Sequence, residues 1–318
     1  MTPREILDAI DAATANGEKA AVATVVATIR SAPRQPGAKL VVTEGGKLVG
    51  SVSGGCVEAD VAARAQELFD GGAPALVHYG VTDSDAFEVG LSCGGEIDVW
   101  LEQADPGLWR DVRALLDAGE YGMLYTNTET GEKRLERGTL ERTELREDGV
   151  FAEQVEGPLR VMIFGAAEAA EHLAAYGKQL GWHTTVVDAR KALATRERIP
   201  SADEIVNAWP DEVIDRIDER TVVVTLSHEE RLDIPAVAAA LERNARYVGA
   251  IGAKRTAERR RARLQELGVP DSDIDKIHGP AGLDLGARSP AQVALAIAAE
   301  IVAETSGGRK QDAAKVAA

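Results

Sequence analysis

Cysteine is nearly absent from this chain: 318 residues hold two, Cys56 and Cys93. Two thiols make no disulfide framework, and a reducing cytoplasm is the expected setting. Positive charge is also short, with 36 Lys and Arg against 52 Asp and Glu, a net of −16. That balance argues against general nucleic-acid binding and against adsorption to anionic membranes. No apolar run is long enough to span a bilayer. The opening Thr2-Pro3-Arg4-Glu5-Ile6-Leu7 lacks the basic and apolar blocks of a secretion signal and reads as the start of a helix. Structural zinc wants four Cys or His ligands at close spacing, and nothing here supplies them, so no metal site of protein ligands alone is expected. None of His78, His172, His183, His228 and His278 has a context that marks a catalytic base.

Hydrophobic residues make up 45% and charged residues 28%, an ordinary globular mix in a chain long enough for two domains. Residues 1–152 read as a mixed α/β domain carrying both cysteines. Strands are expected at 20–29, 75–79 and 96–101, a hairpin at 39–50, and helices at 57–69 and 108–116. Residues 128–149 are polar with alternating charge and read as an exposed β-meander or a mobile segment. The boundary falls near 153–158. In residues 158–305 short apolar strands alternate with helices, the rhythm of a parallel, doubly wound, Rossmann-like sheet. Residues 306–318 are of low complexity and are expected to be disordered.

Both cysteines sit in glycine-rich turns, Gly50-Ser51-Val52-Ser53-Gly54-Gly55-Cys56-Val57-Glu58 and Gly90-Leu91-Ser92-Cys93-Gly94-Gly95-Glu96. A thiol beside Gly-Gly has bare backbone next to it, which a ligand can approach closely. Cys56 is expected in the first turn of a helix, where unpaired N–H groups and the dipole favour a thiolate. The same amides, with Ser51 and Ser53, could cradle a phosphate. The alternative is two tight turns in which Cys stands in for Ser or Ala.

The Gly50-to-Glu58 run resembles the signature of the XdhC/CoxI family, maturation factors for molybdenum hydroxylases such as xanthine dehydrogenase and CO dehydrogenase. The resemblance extends through Ser31-Ala32-Pro33-Arg34, Pro36-Gly37-Ala38-Lys39, Cys93-Gly94-Gly95, Tyr247-Val248-Gly249-Ala250-Ile251-Gly252 and Gly282-Leu283-Asp284-Leu285-Gly286-Ala287. It implies a Rossmann-like C-terminal domain, a homodimer, and a protein that binds molybdenum cofactor, as molybdopterin or its cytosine dinucleotide. Such a protein protects the sulfurated form and passes it to an apo molybdenum hydroxylase, with a cysteine desulfurase as a further partner. Cys56 would then contact the cofactor's metal or sulfur, and Arg34 would be a phosphate ligand.

In the second half a dinucleotide fingerprint would need Gly-x-Gly-x-x-Gly, but the run is Gly165-Ala166-Ala167-Glu168-Ala169-Ala170. The Ala167 methyl would intrude on a pyrophosphate and Glu168 would repel it, so tight NAD(P) binding is not expected. Asp188, at a strand end, is either a ribose-binding carboxylate or a cap for the next turn. The better anion candidate is Gly249-Ala250-Ile251-Gly252-Ala253-Lys254-Arg255, with two cations where a helix begins. Arg259, Arg260, Arg261 and Arg263 read as a solvated helical face or a docking surface. The candidate site is thus Ser53, Gly54, Gly55, Cys56, Arg34, Cys93, Gly249, Gly252, Lys254 and Asp188. The rival readings are an NAD(P)-linked oxidoreductase using the second domain and an adaptor that only docks other proteins.

Overall fold

The computed structural model describes residues 3–30, 32–80, 94–227 and 229–305. Cys93, Ser31, His228 and residues 306–318 lie outside them. The chain divides into two compact units, Met1–Gly157 and Pro158–Ala318. Among the described residues no helix is long and apolar enough to cross a membrane.

The first unit opens with α1 (Pro3–Ala15), β1 (Ala20–Ile29), β2 (Lys39–Thr43), β3 (Leu48–Gly50) and α2 (Glu58–Phe69). It continues through β4 (Ala75–Tyr79), β5 (Glu96–Gln103), α3 (Pro106–Asp117), β6 (Gly122–Asn127), β7 (Lys133–Arg137), β8 (Glu144–Leu145) and β9 (Val150–Val155). Five strands form one sheet in the order β3-β2-β1-β5-β4, every pairing antiparallel. β1 lies at its centre, and its alternate side chains serve two cores. Ala21, Ala23 and Val25 pack with Val61, Ala65, Leu68 and Phe69 of α2. Val22, on the other face, packs with Leu7 and Ile10 of α1 and Trp109 and Leu116 of α3.

The remaining strands form a four-stranded sheet, β7-β6-β9-β8, also antiparallel. The polar stretch 128–149 therefore contributes β7 and β8 to an ordered sheet, and residues 153–155 complete β9, a few residues before the division between the units. Four of the charges that look solvated in sequence form two largely buried pairs across the two sheets. Lys39 Nζ meets Glu153 Oε2 at 2.6 Å and Lys133 Nζ meets Glu102 Oε1 at 2.6 Å.

The second unit contains β10 (Arg160–Phe164), α4 (Glu168–Leu180), β11 (His183–Val187), β12 (Glu204–Val206) and β13 (Thr221–Thr225). After these come α5 (Glu230–Glu242), β14 (Tyr247–Ala250), α6 (Lys254–Glu266), the short α7 (Asp271–Ile274) and α8 (Pro290–Thr305). The sheet order is β12-β11-β10-β13-β14 and all its pairings are parallel. Counted within the unit this is the 3-2-1-4-5 order of the Rossmann fold. Val161 and Ile163 face α4 and α8, while Met162 and Phe164 face α5 and α6. Burial on both faces explains why these strands are continuous apolar runs.

Strand order reverses between β10 and β13, the place where open α/β sheets hold their ligands. Gly165 ends β10 there with φ of +107°, and a Cβ on it would lie 2.6 Å from the Ser227 nitrogen. Only glycine lets the two strand ends come this close.

Candidate functional site

In the first unit the chain leaves β3 at Gly50 and enters α2 at Glu58, with Val57 as the residue preceding the helix. Cys56 therefore lies outside the first helical turn, where the sequence had suggested it would be. Gly54 and Gly55 hold φ of +80° and +116°, which keeps the segment out of the helix.

These conformations aim the turn's N–H groups inward, and what they meet is the chain's own Glu58. Its Oε1 accepts from the Ser51 hydroxyl (2.7 Å), the Val52 amide (3.2 Å), the Ser53 amide (3.0 Å) and the Gly54 amide (3.2 Å). Its Oε2 accepts from the Ser53 hydroxyl (2.5 Å), the Gly55 amide (2.9 Å) and the Val57 amide (3.2 Å). A carboxylate offers about four lone-pair sites, so the four shortest contacts saturate it. Ser53, itself buried, also accepts from the Cys56 and Val57 amides at 2.9 and 3.0 Å. The expected phosphate cradle of Ser51, Ser53, Gly54 and Gly55 is thus filled by an internal carboxylate.

Burial alone would raise the Glu58 pKa, but hydrogen bonds from the Ser53 and Ser51 hydroxyls and the Ser53 amide lower it to about 2. Because the folded value lies below the ordinary 4.5, the stabilisation is complete above pH 4.5 and is lost as pH falls towards 2. Hydrogen exchange at the Gly55 and Val57 amides, corrected for intrinsic rates, is expected to stay slow down to about pH 4 and to rise below it. Protection that vanishes by about pH 5 would rule the carboxylate out as its source.

The outer side of the turn is bare. Gly54 and Gly55 are exposed, and a Cβ on Gly55 would meet nothing within 4 Å. Cys56 is half-buried and touches the core under α2, as do Ala32 and Ala38. The loop carrying the exposed Arg34 runs alongside, with Pro33 Cβ 4.0 Å from a Cβ built on Gly54. The loop of Pro33 and Arg34 thus lies next to Gly54, the residue two before Cys56.

In the second unit, Asp188 ends β11 with no exposed surface. Its Oδ2 accepts from the Ala166 amide at 2.8 Å and from Arg190 Nη2 at 2.6 Å. Its Oδ1 accepts from the Arg190 amide and Nε, both at 2.9 Å. Burial opposes its ionised form, but Arg190 and these amides outweigh it and lower the pKa. Of the two readings of Asp188, the geometry is that of a cap: it ties the loop after β10 to the turn after β11.

Gly249, Gly252 and Lys254 do come together, at the same edge of the sheet but three strands away from Asp188, about 14 Å at ordinary strand spacing. The N-terminus of α6 has no side-chain cap, and Lys254 and Arg255 stand exposed in its first turn. Of the arginine run beyond them only Arg260 is internal, and the other three lie on a solvated face in surface ion pairs. Arg260 is buried and its Nη2 donates to the Ile251 carbonyl at 2.5 Å. Arg259 pairs with Glu230, Arg261 with Asp271 and Asp275, and Arg263 with Glu266.

Sequence reasoning missed Glu58, although its signal was visible: an acid four residues after Gly54, opening a helix. It also missed a clasp in the second unit. Glu300 of α8 accepts from the Tyr247 hydroxyl at 2.5 Å and the Gly282 amide at 2.7 Å, and lies 3.3 Å from His278 Nδ1. His278 stacks on Tyr247 with ring centroids 4.5 Å apart. This clasp ties Gly282, the first residue of the Gly282-Leu283-Asp284-Leu285-Gly286-Ala287 run, to Glu300 of α8 and through it to Tyr247 of β14.

Comparison with known proteins adds a second line of observation. The model of the XdhC and CoxI family matches residues 13–80, and that of the XdhC Rossmann domain matches residues 161–301. The chain is 30% identical over 289 residues to the molybdenum cofactor insertion chaperone PaoD of Escherichia coli (strain K12), covering 90% of this chain and 83% of that one. It is 26% identical to a probable xanthine dehydrogenase subunit of Bacillus subtilis (strain 168), covering 92% and 95%. Among solved structures, a crystal structure described as a xanthine dehydrogenase from Bacillus halodurans superposes with a TM-score of 0.81 at 25% identity, covering 98% of this chain and 97% of that one.

Proposed function

The chain belongs to the XdhC and CoxI family, and from that premise we propose that it is a maturation factor that binds molybdenum cofactor, protects the sulfurated form and delivers it to an apo molybdenum hydroxylase. The observation that carries this reading is the Cys56 turn: a thiol on a rigid, glycine-flanked surface, in a chain alike over most of its length to a cofactor insertion chaperone. Molybdenum cofactor is cargo here. A thiol is a soft ligand suited to a metal–sulfur centre, and Cys56 is the residue suited to contact that end of it.

The amides of the Cys56 turn already hold Glu58 and are not proposed to take a phosphate. Within the second unit, the residues suited to an anion are Lys254 and Arg255 at the uncapped start of α6, with Gly249 and Gly252 shaping the turn before it. Arg34, exposed beside the Cys56 turn, is a second cation for the same kind of group. Asp188 takes no part in this reading. A nicotinamide cofactor would need Asp188 for ribose, and both its oxygens are held by Ala166 and Arg190, so NAD(P) is not proposed. The protein would act as a homodimer in the cytoplasm, with a cysteine desulfurase as a second partner.

The test is molybdenum and pterin analysis of the protein purified from a cofactor-competent host. Wild-type protein is expected to retain cofactor, and Cys56→Ala to retain about ten- to a hundredfold less. Equal retention by the two would count heavily against the thiol as the contact.

A further inference from the structure

We propose that Glu58 is a positioning residue that stands in for a ligand anion inside the Ser51–Val57 turn, so that the turn presents Cys56 in one geometry whether or not cargo is bound and takes no phosphate itself. The role assigned to Cys56 rests on the function proposed above; the clamp itself does not.

An acidic residue opening a helix ordinarily favours the helix dipole, or closes a capping box onto the residue three before it. Glu58 does something different. Its side chain turns back along the chain and gathers donors from every residue between Ser51 and Val57 except Cys56. The Cys56 amide is held instead by the Ser53 hydroxyl, which itself donates to Glu58. Every backbone N–H from position 52 to 57 thus has a partner within the turn.

The glycines fit this reading better than a vacant ligand nest. A glycine kept for a close-lying ligand has its missing Cβ on the ligand's side, beside the amides that bind it. Here the amides of Gly54 and Gly55 point to Glu58, while the space their side chains would fill is open or nearly so. Their positive φ values are what direct the amides inward. The turn has an inner face saturated by Glu58 and an outer side of exposed glycine backbone, with the half-buried Cys56 next along the chain.

The experiment measures the alkylation rate of Cys56 in the full-length, cofactor-free protein, followed by mass spectrometry on the tryptic peptide 48–64, which excludes Cys93. In wild-type protein the rate is expected to be indifferent to added acetate or inorganic phosphate. In Glu58→Ala it should change by about tenfold or more, and acetate should restore the wild-type rate in a saturable way, because the emptied nest then accepts a free carboxylate. Inorganic phosphate should likewise shift the Glu58→Ala alkylation rate saturably and leave the wild-type rate unmoved. A wild-type rate in Glu58→Ala, or an altered rate that acetate does not restore, would overturn the proposal.

Should Glu58→Ala fail to fold, Glu58→Gln keeps the shape but turns an amide donor towards N–H donors. It should then show an altered rate that acetate cannot restore, because the nest stays filled; an unaltered rate would again refute the clamp. Since no cargo enters these measurements, the clamp can hold while the cofactor-binding reading fails, and the reverse.

Discussion

Replacing Glu153 with alanine is expected to lower the stability of the first unit by about 3–5 kcal/mol, the usual cost of removing one member of a buried ion pair. Glu153 and Lys39 are 8% and 12% exposed at their side chains, and the pair joins β9 of one sheet to β2 of the other. The Lys39 ammonium also lies 3.3 Å from the Thr24 hydroxyl, which cannot replace a carboxylate as its counter-charge. In Glu153→Ala the charge remains under the sheet without its partner, and that is what makes the single substitution severe. A thermal scan should show a fall of about 10 °C or more for a unit of this size. The double variant Lys39→Met, Glu153→Leu should recover most of the loss, since replacing both charges by apolar groups is often neutral. A single variant within about 0.5 kcal/mol of wild type in chemical denaturation would show that the pair is solvated.

Gly165→Ala is expected to be at least as damaging, costing about 4 kcal/mol or preventing the second unit from folding. The added methyl would lie 2.6–2.7 Å from the nitrogen, Cα and Cβ of Ser227. Two of those are backbone atoms and cannot rotate away. The φ of +107° is also one that alanine strongly resists. Relief would require β10 and β13 to separate at their ends, where they are tied by the Leu226 amide donating to the Phe164 carbonyl at 2.7 Å. Ala167 should tolerate replacement by glycine far better, because its methyl is only partly buried against the neighbouring core. Equal chemical stability of Gly165→Ala and wild type would contradict the close approach.

The second unit was legible because its information is local. Val222, Val223 and Val224 are β-branched and buried on both faces, and α4 begins and ends at Glu168 and Leu180 as the periodicity and Gly181 indicate. The smaller sheet of the first unit was not, because β7 reads Lys133-Arg134-Leu135-Glu136-Arg137. Nothing local says that Lys133 finds Glu102, far back in the chain, under cover. The Cys56 turn was legible as an anion nest and misread as to the anion. A Ser- and Gly-rich turn has the same sequence whether its carboxylate is brought by a ligand or supplied by the next helix. Asp188 posed the same ambiguity, decided by Arg190 two residues on.

The buried Arg260 has a further consequence for the turn before α6. Its guanidinium holds the Ile251 carbonyl, while the Ala250 amide and carbonyl bond to residues 278 and 281, so the turn is fastened from two sides before any ligand arrives. An anion landing there would freeze only the Lys254 and Arg255 side chains, at about 0.5–1.5 kcal/mol each. The main chain's loss of freedom was incurred once, during folding. Such a surface is preorganised, and its affinity for an anion would be set by the exposed Lys254 and Arg255 side chains on a seat already fixed.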